Sequence, residues 1–237
     1  MRRAGKPSAE ASAWVYDRGS WYWMGTTGAM ATSEWIHDGT DWYYIEASGH
    51  LAGSGWMWDS GSWYYLSNGR MTTGWLLDHG TWYYMDPHTG TMRTGWVRID
   101  DRWYYLGSSG AVSTGWLHSD GSWYYLSGSG AMVTGWLRSG GDWYYLSSSG
   151  AITTGWFQDG SSWYFSSASG VMHTGWLNGG SSWYYLSGSG AMVTGWLRLG
   201  SSWYYMGGSG AMVTGTQVVD GRRSTFESSG RWIGYAL

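Results

Sequence analysis

The chain has 237 residues, with 41 Gly, 23 Trp and 20 Tyr against only 3 Phe, and a net charge of −3. Its scattered Lys and Arg exclude the basic patch that nucleic acid binding requires, and the absence of Cys excludes a disulfide framework and thiol chemistry. No apolar run reaches the ~18 residues of a membrane-spanning helix. Leu, Ile and Val are too sparse for one large core, so the aromatic rings are expected to supply the interior; their abundance excludes a disordered chain.

In chain order, residues 1–13 ("MRRAGKPSAEASA") are basic but lack an apolar segment, so they read as a flexible lead-in and not as a signal peptide. A repeat then begins. One Trp series runs Trp14, Trp35, Trp56, Trp75, Trp96, Trp116, Trp136, Trp156, Trp176 and Trp196. A second opens the Trp-Tyr-Tyr motifs at Trp21, Trp42, Trp63, Trp82, Trp103, Trp123, Trp143, Trp163, Trp183 and Trp203. The offset from a first Trp to its partner is 7 in all ten repeats, whereas the distance on to the next first Trp varies from 12 to 14. A rigid segment followed by one that tolerates insertion is the behaviour of a structured hairpin and a loop.

Within "WLHSDGSW" (Trp116–Trp123) a two-residue turn at Ser119–Asp120 would pair His118 with Gly121, Leu117 with Ser122, and Trp116 with Trp123, and a four-residue loop centred on the same point gives the same pairing. The Gly or Asp near each turn tolerates the left-handed backbone that hairpins need. Each repeat is therefore expected to be a β-hairpin with two opposed Trp. Side-chain alternation puts Trp116, Trp123 and Tyr125 on one face and Leu117, Tyr124 and Leu126 on the other. Two apolar faces leave a lone hairpin marginal, so consecutive hairpins must stack. The "SGSGAMVTG" connections add one apolar plug per repeat, such as Met132, Ile152 and Met192. Ten repeats are expected over residues 14–215. Residues 216–237 keep the turn Asp220-Gly221 and the aromatic Phe226 but have Thr216 in place of the first Trp, and so read as a capping repeat.

The stretch "TGWLRSGGDWYYLSSSGAITTGW" (134–156) closely resembles the choline-binding, or cell-wall-binding, repeat, and the resemblance covers nearly all of residues 14–235. It implies an all-β fold, a solenoid (left-handed superhelix) of hairpins of ~20 residues. It also implies attachment to phosphocholine on teichoic acids, or another repeated cell-wall polymer, at the bacterial surface. Each choline box would join two Trp of one repeat to a Tyr of the next. Carried over, the boxes would be Trp14, Trp21 and Tyr43; Trp35, Trp42 and Tyr65; Trp56, Trp63 and Tyr84; Trp75, Trp82 and Tyr105; and Trp96, Trp103 and Tyr125. The series continues with Trp116, Trp123 and either Tyr144 or Tyr145; Trp136, Trp143 and Tyr164; Trp156, Trp163 and Tyr185; Trp176, Trp183 and Tyr205; and Trp196, Trp203 and Phe226. Met132 and Met192 would stand beside such boxes. The chain departs from the pattern at Trp23, Trp58 and Phe165.

The acidic residues track the repeat: Asp17, Asp38, Asp59, Asp78 and Asp159 each fall three positions after a first Trp, inside the turn. That is turn chemistry and not a paired acid and base. The six His lack metal-ligand spacing, and no nucleophile elbow is present. No catalytic residue, cofactor, metal, nucleic acid or membrane insertion is expected. A quaternary ammonium suits aromatic faces. The alternatives are a glucan-type carbohydrate-binding module and a structural spacer without ligand. A homodimer is left open as a partnership.

Overall fold

The computed structural model describes residues 12–236; of the lead-in expected over residues 1–13, residues 1–11 lie outside them. Among the described residues every regular element is a β-strand. The chain divides into two compact units, one running to Gly115 and taking in Leu126–Ala131, the other comprising Trp116–Tyr125 and Met132 onward.

In the first unit the hairpins are Ala13–Asp17 with Ser20–Met24, Glu34–His37 with Trp42–Ile45, Gly55–Asp59 with Ser62–Ser67, Gly74–Asp78 with Thr81–Met85, and Gly95–Ile99 with Arg102–Leu106. The shortest connection, after Trp63, folds tightly. Asn68 and Gly69 both take positive φ (50° and 74°), and Arg70–Met71 returns to pair with Ser62–Ser67 and at Tyr43 with Trp42–Ile45. A five-stranded sheet results. The second unit holds Trp116–Tyr125 of the hairpin Gly115–Ser119 with Ser122–Leu126. Then follow Gly135–Ser139 with Asp142–Leu146, Gly155–Asp159 with Ser162–Ser166, Gly175–Asn178 with Trp183–Leu186, and Gly195–Leu199 with Ser202–Met206. It ends in a three-stranded sheet of Gly215–Val219, Arg222–Phe226 and Trp232–Tyr235.

The hairpins form as expected, but their register differs. The first Trp pairs with the second Tyr of its own repeat and not with the second Trp: Trp136 lies opposite Tyr145, Leu137 opposite Tyr144 and Arg138 opposite Trp143. The turn is the reason. A two-residue hairpin turn of the favoured type needs positive φ at both central positions. Asp120 (49°) and Gly121 (78°) supply it, one residue later than the expected Ser119–Asp120. Moving the turn by one residue moves the pairing by two. A two-residue shift keeps side-chain parity, so the expected faces stand. In the four-residue loop that joins His37 to Trp42, the first side chain holds the bend: Asp38 accepts the Thr40 and Asp41 N–H groups at 2.9 and 3.0 Å.

The two faces of each hairpin have different fates, and the interior is not mainly aromatic. The residue after Trp-Tyr-Tyr is the most deeply buried: Ile45, Met85, Leu106 and Leu126 in the first unit and Leu146, Leu186 and Met206 in the second are all 0% exposed. An aliphatic spine thus runs through each unit, and the Trp rings flank it. Ser166 occupies the same position at 0% exposure, with its Oγ unpartnered among the described residues.

The connections bind hairpins together through backbone. Thr153 donates to Tyr145 of its own hairpin while Ile152 donates to the Trp123 carbonyl of the hairpin before, both at 2.8 Å. Met172 and Met212 repeat the second bond to Trp143 and Trp183. The plug side chains need a glycine in the following connection. At Gly190 (φ +82°) an added Cβ would fall on the Met172 sulfur, and at Gly170 it would fall on the Ile152 side chain.

The last unit's cap differs from expectation at Phe226. Register places Phe226 opposite Gly215, as Leu146 stands opposite Gly135, and it is 3% exposed. Phe226 therefore belongs to the spine, and Ser224 holds the place of a first Tyr.

Candidate functional site

Stacking sets the ring-bearing face of one hairpin against the back of the next, and aromatic boxes form there. In the second unit Trp136 and Trp143 lie 6.3 Å apart at 83°, and Tyr164 of the next hairpin approaches Trp136 to 4.8 Å. These rings, with Met172 and the connection residues Gly188 and Ser189, line a cavity of about 370 Å³. One repeat later Trp156, Trp163, Tyr184, Met192 and Ser209 line about 300 Å³. In the first unit Trp56, Trp63, Tyr83, Met92, Ser108 and Ser109 enclose about 290 Å³. The cavity at Trp75, Trp82 and Tyr104 reaches about 640 Å³, where the shorter Val112 replaces the Met. Each box therefore draws on three successive repeats, the third through a Ser of its connection.

The tyrosine that completes a box is consistently the first of its motif. Tyr43 faces Trp14 at 5.0 Å, Tyr64 faces Trp35 at 4.9 Å, Tyr83 faces Trp56 at 4.7 Å and Tyr104 faces Trp75 at 4.9 Å. In the second unit Tyr144 faces Trp116 at 4.8 Å, Tyr184 faces Trp156 at 5.0 Å and Tyr204 faces Trp176 at 5.1 Å. The expected second tyrosines lie elsewhere. Tyr65, Tyr84, Tyr105, Tyr125, Tyr145, Tyr185 and Tyr205 each pack edge-on against the first Trp of their own hairpin, at 5.1–5.3 Å. Phe165 does the same against Trp156, and Trp23 takes that place opposite Trp14. Parity is the cause: the second Tyr shares the face of its own Trp, and only the first Tyr points back at the preceding repeat.

In the cap, Trp232 comes to 5.5 Å of Trp196 at 78°, nearer than the expected Phe226 at 5.9 Å. Met192 lines the cavity at Trp156, Trp163 and Tyr184. Met132 lies against Gly150.

The turn aspartates do more than shape turns. Asp159 accepts the indole N–H of Trp136, in the hairpin before it, at 2.8 Å, and Asp78, Asp59 and Asp220 do the same for Trp56, Trp35 and Trp196 at 3.0, 3.2 and 2.9 Å. Ser139 serves Trp116 at 3.2 Å. The Trp56 indole N–H, then His79 beside it, hold the Asp78 carboxyl below its ordinary range. Burial, followed by the neighbouring carboxylates, pushes the Tyr65 and Tyr145 hydroxyls up. Each bond fixes the rotation of a box indole from outside the box. The signal was present in the sequence as a recurring separation of 22 to 24 residues from Trp to Asp.

The second Trp of each repeat remains 39–49% exposed beside a spine that is almost wholly buried. Rings whose role was only to fill a core would not be left so open. An array of such faces can hold a cation or the apolar face of a ring.

Comparison with known proteins bears on the repeat and the fold. A family model described as choline-binding repeat matches residues 53–94 and 93–134. A second, for a cell wall binding repeat, matches 12–30, 33–51, 134–152, 154–172, 174–192 and 194–212. No curated protein matches the chain in sequence. Among solved structures, CbpJ from Streptococcus pneumoniae TIGR4 is 33% identical with a TM-score of 0.83, over 96% of this chain and 95% of that one. Choline binding protein F from Streptococcus pneumoniae is 31% identical with a TM-score of 0.76, over 94% and 92%. The modular autolysin LytC of the same organism is 30% identical with a TM-score of 0.68, over 95% of this chain but 53% of that one.

Proposed function

The chain belongs to the choline-binding repeat family, and from that premise we propose that it is a non-catalytic module that binds choline on a repeated bacterial cell-wall polymer, holding the protein at the cell surface. The observation that carries this reading is the three-ring box itself, repeated along both units with its second Trp half-exposed. A quaternary ammonium cannot donate an N–H hydrogen bond, so aromatic faces are its natural partners. Each ring contributes about 0.5–2 kcal/mol. After association costs, three rings suit a roughly millimolar site. Weak sites in tandem become tight when the ligand is itself repeated, which gives a reason for ten repeats.

The test is a titration of Trp fluorescence and thermal stability with choline, with tetramethylammonium and glucan oligosaccharides in parallel. Ligand that binds the native state raises the unfolding temperature. Choline and tetramethylammonium are expected to raise it and glucan to leave it unchanged. A response to glucan alone would assign the boxes to carbohydrate, and no response to any ligand would leave the repeats a spacer.

A further inference from the structure

The boxes of the second unit are not alike at the position two residues after the first Trp. That residue shares the face of the box rings and pairs across the hairpin with the second Trp: Arg138 with Trp143, Gln158 with Trp163, Asn178 with Trp183 and Arg198 with Trp203. Resting on the choline reading, we propose that Arg138 and Arg198 each add a phosphate-binding arm to their box, so that these two sites select a choline phosphate ester over free choline.

Three observations carry the assignment. First, both guanidinium groups are available. Among the described residues neither forms an ion pair, whereas Arg98, in the equivalent place of the first unit, is held by Asp101 at 2.8 Å. Arg198 keeps its Cζ 5.8 Å from the Trp203 ring centroid while only its Nε donates, to the Gly200 carbonyl at 3.2 Å. Its terminal nitrogens remain for an outside acceptor, and a planar guanidinium matches two phosphate oxygens at once.

Second, the same two boxes carry a carboxylate at their opposite end. Asp159 holds Trp136 and Asp220 holds Trp196 through the indole N–H. Positive charge beside the second Trp and negative charge behind the first make each box a complement to a zwitterion whose ammonium lies among the rings and whose phosphate lies at the mouth.

Third, the repeats between them lack both charges. Gln158 and Asn178 stand at the arginine position, and Gly179 and Leu199 stand where the following turn would supply its carboxylate. Among these four boxes the two charges occur together, whereas in the first unit Asp59 and Asp78 pin Trp35 and Trp56 with His37 and Trp58 at the arginine position. Against free choline a guanidinium at the rim is a like charge, so selectivity has a repulsive as well as an attractive part.

The experiment uses the full chain with phosphocholine as probe, read by ³¹P shift for the phosphate and by saturation transfer to the N-methyl groups for the ammonium. The wild type is expected to move both signals. The double variant Arg138→Gln with Arg198→Gln is expected to lose the ³¹P response and to bind phosphocholine about two- to fivefold more weakly at those sites. Choline itself should bind the variant no more weakly than the wild type. Both side chains are exposed, so folding is not at risk. A ³¹P signal that stays fixed while the methyl groups respond, or that moves equally in the double variant, overturns the arm and leaves the boxes standing. Absence of methyl transfer overturns the choline reading itself. Glycerophosphocholine and phosphatidylcholine vesicles separate the sources of the ester. Vesicle sedimentation that the double variant loses assigns a lipid headgroup. A response confined to the soluble ester assigns a polymer-borne group.

Discussion

Gly190→Ala tests how the connections support the boxes, because Gly190 combines two constraints that a neighbour separates. Its φ is +82°, and a Cβ there would lie on the sulfur of Met172 and 2.9 Å from its Cε. Gly195 has nearly the same φ, +81°, but a Cβ there would meet nothing within 4 Å. Alanine in the left-handed region costs about 1–2 kcal/mol at either position. Overpacking at Gly190 adds about 1–3 kcal/mol. Gly190→Ala should therefore lose about 2–5 kcal/mol in all, and Gly195→Ala only the first part. Met172 lines the box of Trp136, Trp143 and Tyr164, so the Gly190 variant should also weaken choline there while the Gly195 variant should not. Urea unfolding followed by near-UV circular dichroism, with a choline titration of each variant, measures both effects. Adding Met172→Ala to Gly190→Ala should recover part of the loss, giving a favourable coupling energy. Equal losses for the two glycine variants would refute the plug-and-glycine reasoning.

Trp143→Ala should weaken one box about two- to thirtyfold, as expected for removal of one cation–π face, and leave the remaining boxes unchanged; loss of all choline binding in calorimetry would contradict independent sites. Asp78 has its carboxyl held down in the folded chain by Trp56 first and His79 next, so its contribution is present above the unfolded value of about 3.9 and is lost as pH falls through the lower folded value. Thermal midpoints measured from pH 6 to 2 should therefore fall more steeply in the wild type than in Asp78→Asn, and identical acid slopes would remove the indole–carboxylate bond from the account. Ser166→Ala deletes a buried hydroxyl without a partner and should raise stability by about 1 kcal/mol in urea unfolding. A loss instead would show that the Oγ is bonded.

Much of this architecture is legible in the sequence because it rests on parity and period. The constant offset of seven marks the hairpin, and alternation assigns both faces correctly even though the pairing is displaced by two residues. The displacement itself turns on which two residues take positive φ, and Ser119, Asp120 and Gly121 offer two similar choices until the backbone decides. The choice between the two tyrosines was closer to hand. Tyr144 shares its face with Leu137 and Leu146, and front-to-back stacking points that face at the preceding repeat, which selects the first Tyr within each unit. At the cap, aromatic identity misleads: Phe226 resembles a missing Tyr, but its pairing with Gly215 makes it spine, and the ring comes from Trp232, beyond a bulge that no repeat period encodes.

The turn position three residues after each first Trp shows how a repeat protein can differentiate nearly identical sites. As a local element it needs only a residue that tolerates a turn, and Asp, Ser, Gly, Ile and Leu all occur there. Across the stack it faces the indole of the hairpin before. An acid pins Trp35, Trp56 and Trp136, and a serine pins Trp116, whereas Ile99, Gly179 and Leu199 offer Trp75, Trp156 and Trp176 no side-chain acceptor. A pinned indole loses less freedom when a ligand arrives, so its box should bind more tightly for the same set of rings. In a polyvalent array the tighter boxes set how long the chain stays attached, while the looser ones add local concentration. Selection acting on one turn residue could thus tune a site one repeat away without altering any ring that touches the ligand.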